Sequence, residues 1–156
     1  MTVLHPAHAL DLGEPMVVED GATVEPSLAF VLGSDVDSPY ATVIEVLGAT
    51  AAVCPALSVG GRYLLGNPVP VAGIDLRLVG VVLECNGDVV ATAAGAACGG
   101  HPAVAVARFA RSFGEDALRA GQVVLAGALT EPLPVAAGDV VVLSVGRLGS
   151  VQLACR

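Results

Sequence analysis

Glu25 and Ser27 are the first residues of this chain whose types and spacing could do chemistry. They lie two apart in the run Val24-Glu25-Pro26-Ser27-Leu28-Ala29-Phe30, so on a strand they share one face. A carboxylate among apolar neighbours is costly to leave unpaired and must be partnered, protonated or at a pocket edge. At a pocket edge it could serve as a general acid or base. The competing reading is a carboxylate turned to solvent at a strand edge, helped by Pro26. Ser27 could donate to a carbonyl or enolate oxygen, or could simply fill space.

His101 titrates near neutrality and could shuttle protons, but its place directly before Pro102 suits a helix start. His5-x-x-His8 has the outline of a metal pair, yet no third ligand lies nearby in the sequence. Cys54, Cys85, Cys98 and Cys155 form no Cys-x-x-Cys pair and have no histidine at zinc-site spacing. They read as buried thiols rather than ligands or disulfides. A Ser-His-Asp order, a Gly-x-Ser-x-Gly elbow, a Walker loop and a dinucleotide fingerprint are all missing, so no nucleotide cofactor is implied.

The elements that must position these residues are mostly strands. Runs 24–32, 51–59, 122–126, 140–145 and 150–154 have strand character. Runs 75–85 and 89–92 flank Asn86-Gly87-Asp88, a turn signal that predicts a hairpin. One helix is expected from Ser38-Pro39 to Leu47 with a stop at Gly48. A second is expected from His101-Pro102 to about Ser112 with a stop at Gly114. Residues 1–22 read as an irregular N-terminal segment rich in Pro, Gly and acids, with Met16-Val17-Val18 its one short strand candidate. Residues 23–156 read as a single domain. Many strands and few helices predict a β-rich α+β fold, a mixed β-roll or flattened barrel.

Composition limits the partners. Hydrophobic residues make up 54% and charged residues 14% of the 156, more apolar surface than a small monomer hides easily, so a homo-oligomer is expected. The formal charge is −8, and seven arginines stand singly with no lysine anywhere. Without a basic patch, nucleic acid is not an expected partner. The first residues carry no positive start before Asp11 and Glu14, which predicts no signal peptide and a cytoplasmic protein. The charge-free stretch 89–107 is interrupted by Gly95, Gly99, Gly100 and Pro102, so it reads as buried core and no membrane partner is expected.

Two longer stretches carry a family resemblance. One is Gly100-His101-Pro102-Ala103-Val104-Ala105-Val106-Ala107-Arg108-Phe109-Ala110. The other is Gly121-Gln122-Val123-Val124-Leu125-Ala126-Gly127-Ala128-Leu129-Thr130, continuing through Ala137-Gly138-Asp139 to Leu148-Gly149-Ser150-Val151. Together they resemble the 2-keto-4-pentenoate hydratase and 4-oxalocrotonate decarboxylase branch of the fumarylacetoacetate hydrolase superfamily, from about residue 24 to the end. The resemblance implies that family's C-terminal β-roll with a few short helices. It also implies a Glu-x-Glu motif at positions 25 and 27 and a third Glu at position 58. This chain keeps Glu25 and has Ser27 and Ser58 in the other two places. The Thr of the family's Leu-Thr-Gly-Ala motif is Ala126.

Further departures follow from the same alignment. Relatives draw an active-site lysine from an N-terminal helical region, whereas this chain contains none. Relatives also carry a segment after Val59-Gly60 that is missing here, which would set Arg62 and Tyr63 at the border of an opened pocket. Arg62 could then hold a substrate carboxylate bidentately, and Tyr63 could act as an acid or hydrogen-bond donor. The alternatives are a plain surface Arg and a core-edge Tyr. Ser58 would share the pocket of Ser27. Thr92 aligns near a cavity-lining Ser of the family, and its alternative is an ordinary strand residue.

A single Glu is a poor cage for a hard divalent cation, so neither a metal nor another cofactor is expected. The function implied is a hydratase-like lyase, isomerase or cyclase acting without the family metal on a small enolisable or polyketide-like carbonyl substrate. Glu25 and Tyr63 would be catalytic, with Ser27, Ser58, Arg62 and Thr92 binding the substrate. The alternative is a noncatalytic partner subunit or scaffold for an intact hydratase or decarboxylase.

Overall fold

The computed structural model describes residues 3–11, 13–112 and 118–156. Strand β1 (Thr23–Leu32) is followed by helix α1 (Val43–Ala49), β2 (Thr50–Val59), β3 (Arg62–Leu65), β4 (Gly80–Cys85) and β5 (Asp88–Ala94). Helix α2 (Pro102–Ser112) then leads to β6 (Val123–Gly127), the two-residue β7 (Leu133–Pro134), β8 (Val140–Val145) and β9 (Gly149–Ala154). The first sheet runs β3-β2-β1-β6, with β7 pairing the start of β1; the second runs β5-β4-β8-β9. This is the β-roll the sequence predicts. All pairings between the named strands are antiparallel, and among the described residues parallel contact is confined to the isolated bridges Ala9–Tyr63 and Met16–Cys155.

β1 is buried on both faces for different reasons. Val24, Leu28, Phe30 and Leu32 turn inward and share one core with Leu57 and Leu64 of the same sheet and Leu83, Leu143 and Leu153 of the other. Burying each such side chain contributes roughly 1.5–3 kcal/mol of transfer free energy, which holds the two sheets face to face. The alternate residue Ala29 turns outward and packs with Cys54, Ala56, Tyr63, Leu125 and Leu4 in a second, smaller cluster. Leu4 belongs to an N-terminal strap that crosses this outer face. At β6, the Leu4 amide donates to the Val123 carbonyl at 2.8 Å; at β3, the Leu10 amide donates to the Tyr63 carbonyl at 2.8 Å. A single turn of 3₁₀-helix, Pro6–His8, lies between these anchors. The segment expected to be irregular is therefore tied down, and Met16 also bridges to Cys155.

The hairpin predicted at Asn86-Gly87 is present, with Cys85 opposite Asp88 and positive φ at both turn residues, 54° and 90°. That pair of left-handed residues matches the right-handed twist of the flanking strands. α1 and β4 start later than expected, and α1 runs through Gly48 to Ala49. α1 begins at Val43 because Thr42 and Glu45 form a reciprocal capping box, and Ser38-Pro39 makes a turn instead. β4 begins at Gly80 because the Asp75 carboxylate accepts from the Arg77 amide at 3.0 Å and the Asp75 carbonyl accepts from the Leu78 amide at 3.1 Å, closing turns where a strand was expected.

α2 starts at Pro102 as predicted and packs against α1 and β6. Its expected stop at Gly114 lies outside the described residues. His101 has the architectural role: its Nδ1 accepts the Ala103 amide at 3.0 Å at the first turn.

Candidate active site

β1, β2 and β3 bring the predicted residues together by register. Glu25 pairs with Ser58 across β1 and β2, and Ser58 pairs with Tyr63 across β2 and β3. Directly opposed residues of antiparallel strands share a face, so the three form one row across the outer face of the sheet. Ser27 stands one step along that face, opposite Ala56 on one side and Gly127 on the other. The β2–β3 connection is only Gly60-Gly61, with φ of 55° and 81°. These values favour glycine, and the tight turn delivers Arg62 to the same place.

The result is a cavity of about 300 Å³ lined by Glu25, Ser27, Ser58, Arg62 and Tyr63, together with Leu4, Val59, Leu125 and Gly127 among others. Glu25 and Arg62 are exposed at its rim, Ser58 is half-buried and Ser27 is buried. Glu25 is thus a rim carboxylate, not one enclosed by its apolar chain neighbours. Within the described residues, neither Glu25 nor Arg62 makes an ion pair, and neither serine hydroxyl makes a hydrogen bond. Their hydrogen-bonding capacity is open to a ligand.

Tyr63 differs. Its hydroxyl donates to the His5 carbonyl at 3.2 Å, and burial raises its pKa above the usual tyrosine value. The phenol proton of Tyr63 is engaged with the strap in this structure. Thr92 is not brought to this cavity. It is exposed on β5 of the second sheet, beside a separate groove lined by Leu83, Leu129 and Leu133.

No local signal points to Leu4, which reaches the cavity through the strap. Gly127 could have been suspected from its place in Leu125-Ala126-Gly127-Ala128. Cys54 lies outside the cavity lining in the apolar cluster, where burial pushes its thiol up to about 11. All four cysteines are free. His5 and His8 contact each other ring to ring, with centroids 5.7 Å apart. Among the described residues, no three His, Cys, Asp or Glu side chains gather as a metal-binding group.

No protein-family model matches the chain. It is 36% identical over 162 residues to a 2-keto-4-pentenoate hydratase of Paraburkholderia xenovorans, covering 88% of this chain and 60% of the relative. It is 33% identical over 153 residues to a 4-oxalocrotonate decarboxylase of a Pseudomonas species, covering 83% and 58%. Among solved structures, it superposes on 4-oxalocrotonate decarboxylase from Pseudomonas putida, complexed with calcium and acetate, with a TM-score of 0.85. That match is 28% identical and covers 96% of this chain and 66% of the other. A Yersinia pestis protein assigned to the fumarylacetoacetate hydrolase family shares the fold, with a TM-score of 0.78 at 18% identity and coverage of 96% and 81%.

The chain is related in sequence to the 2-keto-4-pentenoate hydratases and 4-oxalocrotonate decarboxylases, and it has the fold of the fumarylacetoacetate hydrolase family. Its sequence relatives fall in the hydratase and decarboxylase branch, and it spans about 60% of the length of the hydratase it matches.

A solved 4-oxalocrotonate decarboxylase with this fold is complexed with magnesium and adipate. The cavity of the present chain does not fit such an ion, because it offers one carboxylate, a guanidinium and the neutral hydroxyls of Thr23, Ser27, Ser58 and Tyr63. Magnesium needs hard, preferably anionic oxygens in near-octahedral array, and Arg62 on the same rim opposes a cation. What the arrangement suits is an anionic, oxygen-rich ligand: an arginine fork for a carboxylate, two hydroxyl donors for a carbonyl oxygen and one carboxylate to accept a proton. None of the described helices is long and apolar enough to cross a membrane.

Proposed function

We propose that the chain is a hydratase-like enzyme that moves a proton on a small enolisable keto acid without the family metal. The observation that supports this reading is the convergence of an unpaired carboxylate, an unpaired guanidinium and two unengaged hydroxyls on one cavity of about 300 Å³, at the small end of ligand-binding pockets. Arg62 anchors the substrate carboxylate. Ser27 and Ser58 donate to the carbonyl oxygen. The Glu25 carboxylate takes a proton from the carbon beside that carbonyl, leaving an enolate whose negative oxygen is held by the serine hydroxyls. Return of the proton from Glu25 to a more distant carbon of the conjugated system shifts the double bond. No co-reactant is consumed, so the balanced reaction is an isomerisation. The same enolate can instead expel a leaving group or close a ring, which covers lyase and cyclase outcomes.

The test is solvent proton exchange. Incubated in deuterated water with a series of 2-keto acids, the protein is expected to speed deuterium uptake beside the carbonyl, read by NMR. Glu25→Gln should lower that rate by about a hundredfold or more, and Arg62→Gln should act mainly by raising KM. Exchange that is unaffected by Glu25→Gln would remove the proposed base.

A homo-oligomer built through β5 is proposed as well. Among the described residues, no strand pairs with the outer edge of β5, which exposes Val89 and Val90 and carries neither Lys nor Pro. Such an edge is a template for another strand. Sedimentation should show an assembly that Val90→Lys disperses.

A further inference from the structure

The exposed Glu25 and Arg62 mark one end of the cavity, and the register runs from the Glu25 row through Ser27 and Gly127 to Ala29 and Leu125, where Leu4 of the strap also contributes to the lining. Leu4 lines the cavity and is also a member of the buried cluster Ala29, Cys54, Ala56, Tyr63 and Leu125. Three of these, Ala29, Cys54 and Ala56, have small side chains that lie on adjacent strands of the sheet face. The Leu4 side chain thus packs with the small residues that follow Ser27 along the sheet face. It is held from its own backbone: the Leu4 amide bonds to the Val123 carbonyl, and Val3 bridges to Val124. The next residue, His5, is pinned through its carbonyl by the Tyr63 hydroxyl. Leu4 is fixed in place by both neighbours and by its own main chain, so its side chain acts as a wall of set position.

We propose that Leu4 is a specificity-determining residue that sets the length of the apolar tail a cavity ligand can carry. The proposal rests on the keto-acid reading of the cavity. The carboxylate and carbonyl are held by Arg62, Ser27 and Ser58, the tail points toward Leu125, and Leu4 ends it. Shortening Leu4 opens the sheet face over Ala29, Cys54 and Ala56 to additional methylenes of the tail. Enlarging it shortens the permitted ligand.

The experiment uses the full chain, as wild type, Leu4→Ala and Leu4→Phe, with the straight saturated 2-keto acids from 2-oxobutanoate to 2-oxooctanoate as calorimetric probes. Each buried methylene is worth about fourfold in affinity. Leu4→Ala is therefore expected to move the preferred ligand to a longer acid, changing the ratio of long-chain to short-chain affinity by about tenfold or more. Leu4→Phe should move it the other way. A second readout needs no substrate: the rate at which methyl methanethiosulfonate labels Cys54, mapped by mass spectrometry. That rate should rise about tenfold in Leu4→Ala and stay at the wild-type value in Leu4→Phe.

Parallel chain-length profiles in the three proteins would overturn the proposal, whatever the labelling shows. If no keto acid binds to any of them, the keto-acid reading fails. The labelling then decides for Leu4: a rise in Leu4→Ala upholds it as the end wall of the cavity, and no rise overturns that too. Thermal melts of all three proteins separate loss of fold from loss of the wall.

Discussion

Gly127 faces Ser27 across the β1–β6 ladder so closely that a Cβ at position 127 would fall on the Ser27 hydroxyl. The buried Ser27 hydroxyl is accommodated because the neighbouring strand has no side chain there. Gly127→Ala is therefore expected to destabilise the fold by about 1–3 kcal/mol through overpacking. Ser27→Gly should recover most of that loss. A double-mutant cycle by denaturant unfolding, giving a coupling of at least about 1 kcal/mol, checks the relationship. Additive single effects would show that the two positions do not touch.

The strap is fastened by one side-chain hydrogen bond, from the Tyr63 hydroxyl to the His5 carbonyl. Tyr63→Phe keeps the ring in the cavity wall and removes that bond. Its expected cost is about 0.5–1.5 kcal/mol, with faster amide exchange at Leu4 and Leu10, whose amides bond to β6 and β3. Hydrogen exchange with peptide resolution measures it. If Tyr63 were instead the proton donor of the reaction, the same variant would abolish turnover while leaving strap exchange at the wild-type rate.

A cavity with one carboxylate and an arginine should hold magnesium weakly. Chelators are expected to leave the melting temperature of the purified protein where it was. Restoring carboxylates by Ser27→Glu with Ser58→Glu should raise magnesium affinity by about tenfold or more, since charge and ligand count set the strength of such sites. Calorimetry with magnesium alone decides the matter. Tight binding by the wild type would contradict the donor set described above.

His101 gives the fold a dependence on pH. Burial lowers its pKa below the ordinary 6.5, with Asp75 pulling it up and Arg77 pushing it down. Its Nδ1 accepts the Ala103 amide, which it can do only when that nitrogen carries no proton. The folded state thus prefers the neutral ring. The contribution is fully present above the unfolded value of 6.5 and is lost as pH falls through it toward the lower folded value. His101→Asn keeps an acceptor at the helix start and is expected to flatten this slope, whereas His101→Ala should cost about 1 kcal/mol at neutral pH. Urea unfolding at a series of pH values tests both.

The features legible in the chain were those carried by local chemistry. Asn86-Gly87 announced its hairpin because both turn residues accept positive φ, and His101-Pro102 announced its helix because proline loses nothing in the first turn. α1 was placed too early because Ser38-Pro39 and Thr42-x-x-Glu45 are both start signals. The second won through its reciprocal hydrogen bonds. Residues 75–79 resembled a strand in hydropathy, but the Asp75 side chain closes a turn that hydropathy does not see.

At the site, Glu25 and Ser27 could be paired from their spacing along one strand. Adding Ser58, Arg62 and Tyr63 required the family resemblance, since no local signal fixes the register between β1, β2 and β3. Thr92 shows the limit of alignment by position. β5 belongs to the other sheet, and its Thr92 is exposed beside another groove. Leu4 was invisible for the opposite reason, because its role depends entirely on where the strap is anchored.

The strap has a practical corollary for anyone handling the protein. Val3 bridges to Val124, and the very next side chain lines the cavity. Any affinity handle or fusion partner joined ahead of Val3 is tethered next to the side chain proposed to end the cavity. A handle joined after Arg156 leaves from a main chain paired instead with Met16 and Val18. Assays of the two arrangements would compare different pockets on an otherwise identical scaffold.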